Sequence, residues 1–130
     1  MPHYFTREEA EALLPEITPV LRKIQQCNQD ILAIEKELHV LTIRAMGNGH
    51  HLRERILALQ GSVERYVMEI RRLIEELQAF GCELKDPEKG LIDFLSLRNG
   101  REVYLCWYLG EDRICFWHDL NTGFAGRQPL

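Results

Sequence analysis

Two runs of apolar residues at heptad spacing, separated by a glycine-rich break, limit most severely what this chain can fold into. In the first run Ile17, Ile24, Ile31, Leu38 and Ala45 occupy one heptad position and Val20, Cys27, Ile34 and Leu41 the other. In the second, Ile56, Val63, Ile70 and Leu77 alternate with Leu52, Leu59, Tyr66, Leu73 and Phe80. A sustained pattern of this kind makes a helix with one apolar seam. Met46-Gly47-Asn48-Gly49 divides the runs and Gly81 closes the second, and Gly and Asn accept the left-handed conformation that ends helices. Two long helices joined by so short a loop run antiparallel. Val67 and Ile74 widen the second stripe beyond what a two-helix seam uses, so a further surface must cover it. Upstream, Thr6 and Glu9 form a capping box, predicting a short helix over about 7–14. Pro15 is expected to end that helix, and Thr18-Pro19 to start the next with an N-cap and a proline at the first helical position.

From Gly90 onward the apolar period changes to two. Asn99-Gly100 suits a type I′ hairpin turn, which pairs Arg98 with Arg101 and, counting back, Phe94 with Leu105 and Asp93 with Cys106. Gly110-Glu111 suits a type II′ turn, which would pair Cys106 with Cys115, Leu105 with Phe116 and Val103 with His118. That register places Ile92, Phe94, Val103, Leu105, Trp107, Ile114, Phe116 and His118 on a core face. Asp93, Leu95, Glu102, Tyr104, Cys106, Tyr108, Cys115, Trp117 and Asp119 fall on the other, a mixed polar and aromatic face of the kind that contacts something. Glu83 to Lys85 offers a short extra strand, and the residues after Asp119 show no periodicity. The expected architecture is therefore α+β in one domain spanning 1–130. A long antiparallel helical hairpin preceded by a short N-terminal helix (6–81) is followed by a three-stranded antiparallel β-meander with an irregular C-terminal tail (82–130).

Composition narrows the partners. The 130 residues are 45% hydrophobic and 28% charged, which suits a folded core and excludes a disordered chain. No apolar run approaches the roughly 18 residues of a membrane span. Lys plus Arg number 16 against 20 Asp plus Glu, spread along the chain, so no nucleic-acid face is expected. The start, Met1-Pro2-His3-Tyr4-Phe5, has no signal-peptide pattern, and the four Cys have no repeated spacing, which points to reduced thiols in the cytoplasm.

Several motifs carry a family resemblance. Phe5-Thr6-Arg7-Glu8-Glu9-Ala10 with Leu13-Leu14-Pro15-Glu16, Gly90-Leu91-Ile92-Asp93-Phe94, Gly100-Arg101-Glu102-Val103 with Leu105-Cys106-Trp107, and Trp117-His118-Asp119-Leu120 with Gly123-Phe124-Ala125-Gly126-Arg127-Gln128-Pro129 span almost the whole chain. In these the chain resembles the prokaryotic domain of unknown function 2203 family. The resemblance implies one small bacterial domain and assigns no residue a role.

Candidate chemistry gathers on the sheet. His118-Asp119 offers an imidazole beside a carboxylate, but adjacent strand residues point to opposite faces. Asp93, Cys106 and Cys115 fall in one row, a partial zinc shell that lacks a fourth ligand, so neither a metal nor another cofactor is expected. His50-His51 cannot both aim at one ion without a special turn. Arg127 either grips an anion bidentately or pins the tail to Asp119 or Glu102. No phosphate-binding loop, dinucleotide fingerprint or nucleophile triad is present, so no enzyme motif supports catalysis. The leading expectation is a structural or protein-interaction module acting as a homodimer through Val67, Ile74, Tyr104, Tyr108 and Trp117. The alternative is a small-molecule or metal site around Asp93, Glu102, Cys106, His118, Asp119 and Arg127.

Overall fold

The computed structural model of the chain describes residues 2–48 and 50–130, with the side chains of Asn48 and His50 outside that description. Two helices precede a five-stranded antiparallel sheet. Helix α1 runs over Arg7–Asn48 and α2 over Arg53–Phe80, with one 3₁₀ turn, His50–Leu52, ahead of α2. The strands are β1 (Cys82–Asp86), β2 (Leu91–Arg98), β3 (Arg101–Tyr108), β4 (Phe116–Asp119) and β5 (Gln128–Pro129), adjacent in chain order.

The capping box forms as expected: the Glu9 N–H donates to Thr6 Oγ1 at 3.1 Å and the Thr6 N–H to Glu9 Oε1 at 2.9 Å. The break expected at Pro15 does not occur, because α1 passes through both Pro15 and Pro19. Each internal proline removes one hydrogen bond and costs about 3 kcal/mol. Ala10, Leu14, Ile17, Val20, Leu21 and Ile24 are buried on the same stretch, and at about 1.5–3 kcal/mol for each large side chain their burial outweighs that loss. Between the two prolines the Thr18 hydroxyl donates back to the Leu14 carbonyl at 2.7 Å, a contact that often bends helices. At the other end of the hairpin, Gly81 caps α2 at φ 99°, and a Cβ there would lie 2.6 Å from the Phe5 ring.

The core lies between one sheet face and the N-terminal part of α1 together with Leu73 and Leu77 of α2. Beyond Ile24 the hairpin leaves the sheet as a two-helix arm roughly 35 Å long at 1.5 Å per residue. There Leu41 and Leu59 are buried, while Ile31, Ile34, Leu38, Ile56, Val63 and Val67 remain half-buried. Ile74 packs against the main core. Among the described residues no helix is long and apolar enough to cross a membrane.

The sheet has five strands where three were expected. The β2–β3 register agrees residue for residue, with Asn99 at φ 54° and Gly100 at φ 78° making the turn. The second turn differs. Residues 109–115 form a longer loop organised by Glu111, whose backbone N–H reaches Tyr108 O at 3.1 Å and whose carbonyl accepts Trp107 Nε1 at 3.0 Å. Its carboxylate accepts the Tyr108 N–H at 3.0 Å. Ile114 enters the core from this loop, with its N–H held by Glu11 Oε1 at 3.0 Å. Strand β4 therefore sits one residue away from the expected register: Cys106 pairs with Phe116, Leu105 with Trp117, Tyr104 with His118 and Val103 with Asp119. A one-residue slip exchanges the faces. Trp117 joins the core, whereas Phe116 and His118 move to the opposite face.

Candidate metal centre

The exchange of faces assembles the site. Asp93 on β2 stands directly across from Cys106 on β3, and His118 on β4 lies diagonal to Cys106 on the same face. Donor atoms of the three lie within 4.8 Å of one another, and the residues are 2%, 0% and 2% exposed. Cys115, the third member of the expected row, is exposed on the loop instead, and its carbonyl accepts the Leu130 N–H at 2.9 Å.

The tail, expected to be irregular, covers this face. Gly123 to Gly126 fold over it, and Arg127 stacks on Phe116 at 4.1 Å, Phe124 at 4.9 Å and Tyr108 at 5.3 Å. The Arg127 guanidinium bonds Glu111 at 2.6 Å and the Cys106 carbonyl at 3.3 Å, so it pins the tail to the β3–β4 loop rather than to Asp119 or Glu102. A cavity of about 120 Å³ remains above the pair of Asp93 and His118, bounded by Lys85, Leu91, Tyr104 and the tail residues Leu120, Gly123 and Phe124. At about 30 Å³ per water molecule it has room for a few.

Hydrogen bonding fixes how the imidazole is presented. His118 Nδ1 lies 2.7 Å from the Asp119 carbonyl, which can only accept, so Nδ1 carries a hydrogen. Nε2 faces both Asp93 oxygens at 3.0 and 3.1 Å. Two lone-pair groups at that distance repel unless a proton or another cation lies between them. Burial pushes the Asp93 carboxyl above its ordinary range, against the pull of His118, Lys85 and the Cys106 thiol. Burial first, then the Asp93 charge, pushes the Cys106 thiol up to about 12. Tyr104 is likewise pushed to about 12, by burial and by its hydrogen bond to Glu83.

Of the other candidates, Glu102 is exposed at the strand end, and Asp119 points to the opposite face and pairs with Arg101 at 3.2 Å. Tyr104 and Tyr108 are half-buried on the site's face. The His50-His51 reading rests on a side chain outside the described residues. Glu111, the hub of the β3–β4 loop, had no sequence signal beyond its place after Gly110.

Thiol chemistry should follow this layout. In native protein a disulfide reagent such as Ellman's should label Cys115 readily and leave Cys82 and Cys106 intact, since both are buried with thiols pushed to about 12. Labelling of Cys106 at the rate of Cys115 would contradict the buried site.

Fold and site together define an α+β protein with an Asp, Cys and His cluster beneath a C-terminal cover. The chain belongs to the DUF2203 family, described as an uncharacterized conserved protein, whose model matches residues 3–130. No curated protein and no solved structure matches it.

Proposed function

We propose that this protein binds a divalent transition metal, of the zinc class, through Asp93, Cys106 and His118. The observation that carries this reading is the approach of the three buried donors to within 4.8 Å of one another. One carboxylate, one thiolate and one imidazole suit zinc, and three protein ligands leave a fourth position for water or a small ligand. The cavity beside Asp93 and His118 supplies the room. The bond from His118 Nδ1 to a backbone carbonyl is the outer contact that metal-bound histidines commonly make. The sequence argued against a metal because its row of Asp93, Cys106 and Cys115 lacked a fourth ligand; with His118 in place of Cys115 the set still numbers three, which suits an open site rather than a closed structural one. The cysteines of the chain are free thiols, which fits this reading.

Titrating metal-free protein with cobalt(II) tests it. The expected result is a thiolate-to-cobalt absorption band in the near ultraviolet that saturates near one equivalent. Cys106→Ser should lose the band and Cys115→Ser should keep it. A titration without the band, or one in which Cys115→Ser removes it, would contradict the reading.

A second reading, the homodimer, is favoured by the arm, whose seam residues stay half-buried in one chain. A twofold pair would complete a four-helix arrangement. Light scattering should then give a mass near 30 kDa, about twice the 15.2 kDa chain. Val67→Glu should give monomers, and is a cleaner test than Ile74, which serves the chain's own core. A mass near 15 kDa for the parent protein would remove this reading.

A further inference from the structure

A second cavity, on the opposite side of the sheet from the Asp93 site, has the composition of a small-molecule pocket. It occupies about 390 Å³ between the N-terminal segment and the rim of β2, β3 and β4. Phe5 holds that segment in place: its N–H donates to the Leu95 carbonyl at 2.8 Å and its carbonyl accepts the Ser96 hydroxyl. Tyr4, Leu97 and Leu130 supply the accessible apolar lining over a floor of buried Phe5, Val103, Leu105 and Trp117, and Arg7 and Arg98 add guanidinium groups. Pockets for small ligands share this build, mostly apolar with a few polar groups, from about 300 Å³ upward.

The charges at its edge are unbalanced. The β2–β3 register sets Arg98 directly opposite Arg101, and like charges in that relation repel. Arg101 is compensated by Asp119 at 3.2 Å, and Arg7 by Glu11 at 3.3 Å. Among the described residues Arg98 pairs with no carboxylate, and it lies over the Trp117 ring at 4.7 Å. Trp117 is 6% exposed, and its buried Nε1–H has no hydrogen-bond partner. A buried donor left unmade costs about 1–3 kcal/mol, which makes this indole N–H a sensitive reporter of change at the groove.

We infer that this groove binds a small amphipathic carboxylate, its apolar body between Tyr4, Leu97 and Leu130 above the Trp117 ring and its head group on Arg98. A carboxylate accepts two parallel bonds from one guanidinium, which a neutral head group cannot do. The site shares no ligand with the metal centre and stands or falls separately from it.

The test is a titration of ¹⁵N-labelled full-length protein with sodium octanoate, following the two indole N–H signals. Trp107 is an internal reference, because its Nε1 already donates to the Glu111 carbonyl at 3.0 Å. Trp117→Phe assigns the signals. The expected result is a saturable shift of the Trp117 signal with little change at Trp107. Octan-1-ol, with the same tail and no charge, should bind about tenfold or more weaker, the loss expected for a charge-assisted hydrogen bond. Arg98→Ala should weaken octanoate to a similar degree while the variant still unfolds in one cooperative transition. No saturable shift at Trp117, equal binding of octanol, or full affinity in Arg98→Ala would each overturn the inference.

Discussion

Replacing His118 by alanine is expected to destabilise the protein by about 3–5 kcal/mol, the cost of removing one partner from a buried charged pair. The partner left behind is Asp93, 2% exposed and facing the space that the imidazole occupied at 3.0 Å. Urea unfolding of metal-free protein measures the loss. The pH dependence has a definite sign. Burial raises the Asp93 pKa above its ordinary value, so folding with this carboxyl is penalised once the unfolded chain ionises it. The deficit of His118→Ala is therefore full at neutral pH and shrinks as pH falls into the ordinary carboxylate range. Replacing both Asp93 and His118 by leucine should recover most of the stability, because no charge is then stranded. A His118→Ala variant as stable as the parent at neutral pH would mean that Asp93 does not depend on it.

Zinc is the second large effect. A ligand present at a hundredfold excess over its dissociation constant stabilises the folded state by about 2.7 kcal/mol, so metal-loaded protein should melt several degrees higher. Uptake should also release the proton of the Cys106 thiol, because metal ligands bind deprotonated. The thiol pushed to about 12 opposes that loss, and the metal's own charge supplies the compensation. Calorimetry in two buffers of different ionisation enthalpy counts the protons. Cys106→Ser should release about one fewer than the parent and bind more weakly.

The hairpin and the first β-turn were legible in the sequence because each rests on local chemistry: heptad spacing, a capping box, and Asn99-Gly100. The β2–β3 register, and with it the meeting of Asp93 and Cys106, follows from that turn by counting. At Pro15 the local rule predicts a break, but burial of Leu14, Ile17 and Leu21, which only the assembled sheet provides, outweighs it. Strand β4 was ambiguous in principle. Ile114, Phe116 and Trp117 are all apolar, so alternation cannot say whether Phe116 or Trp117 faces inward. The choice is made by Glu111 and by Glu11, distant in sequence, which holds the N–H of Ile114 at 3.0 Å and lets the loop fill a core position. That single slip replaces Cys115 by His118 in the cluster. The tail had no periodicity to read, and its placement depends on Arg127 meeting Glu111 and three aromatic rings.

The central claim is that Asp93, Cys106 and His118 share one metal ion, and X-ray absorption at the zinc edge of zinc-loaded protein tests it most directly. The account predicts one sulfur at about 2.3 Å with the remaining nitrogen and oxygen neighbours at about 2.0–2.2 Å, and loss of the sulfur shell in Cys106→Ser. A first shell without sulfur, or one whose sulfur survives Cys106→Ser, would contradict it.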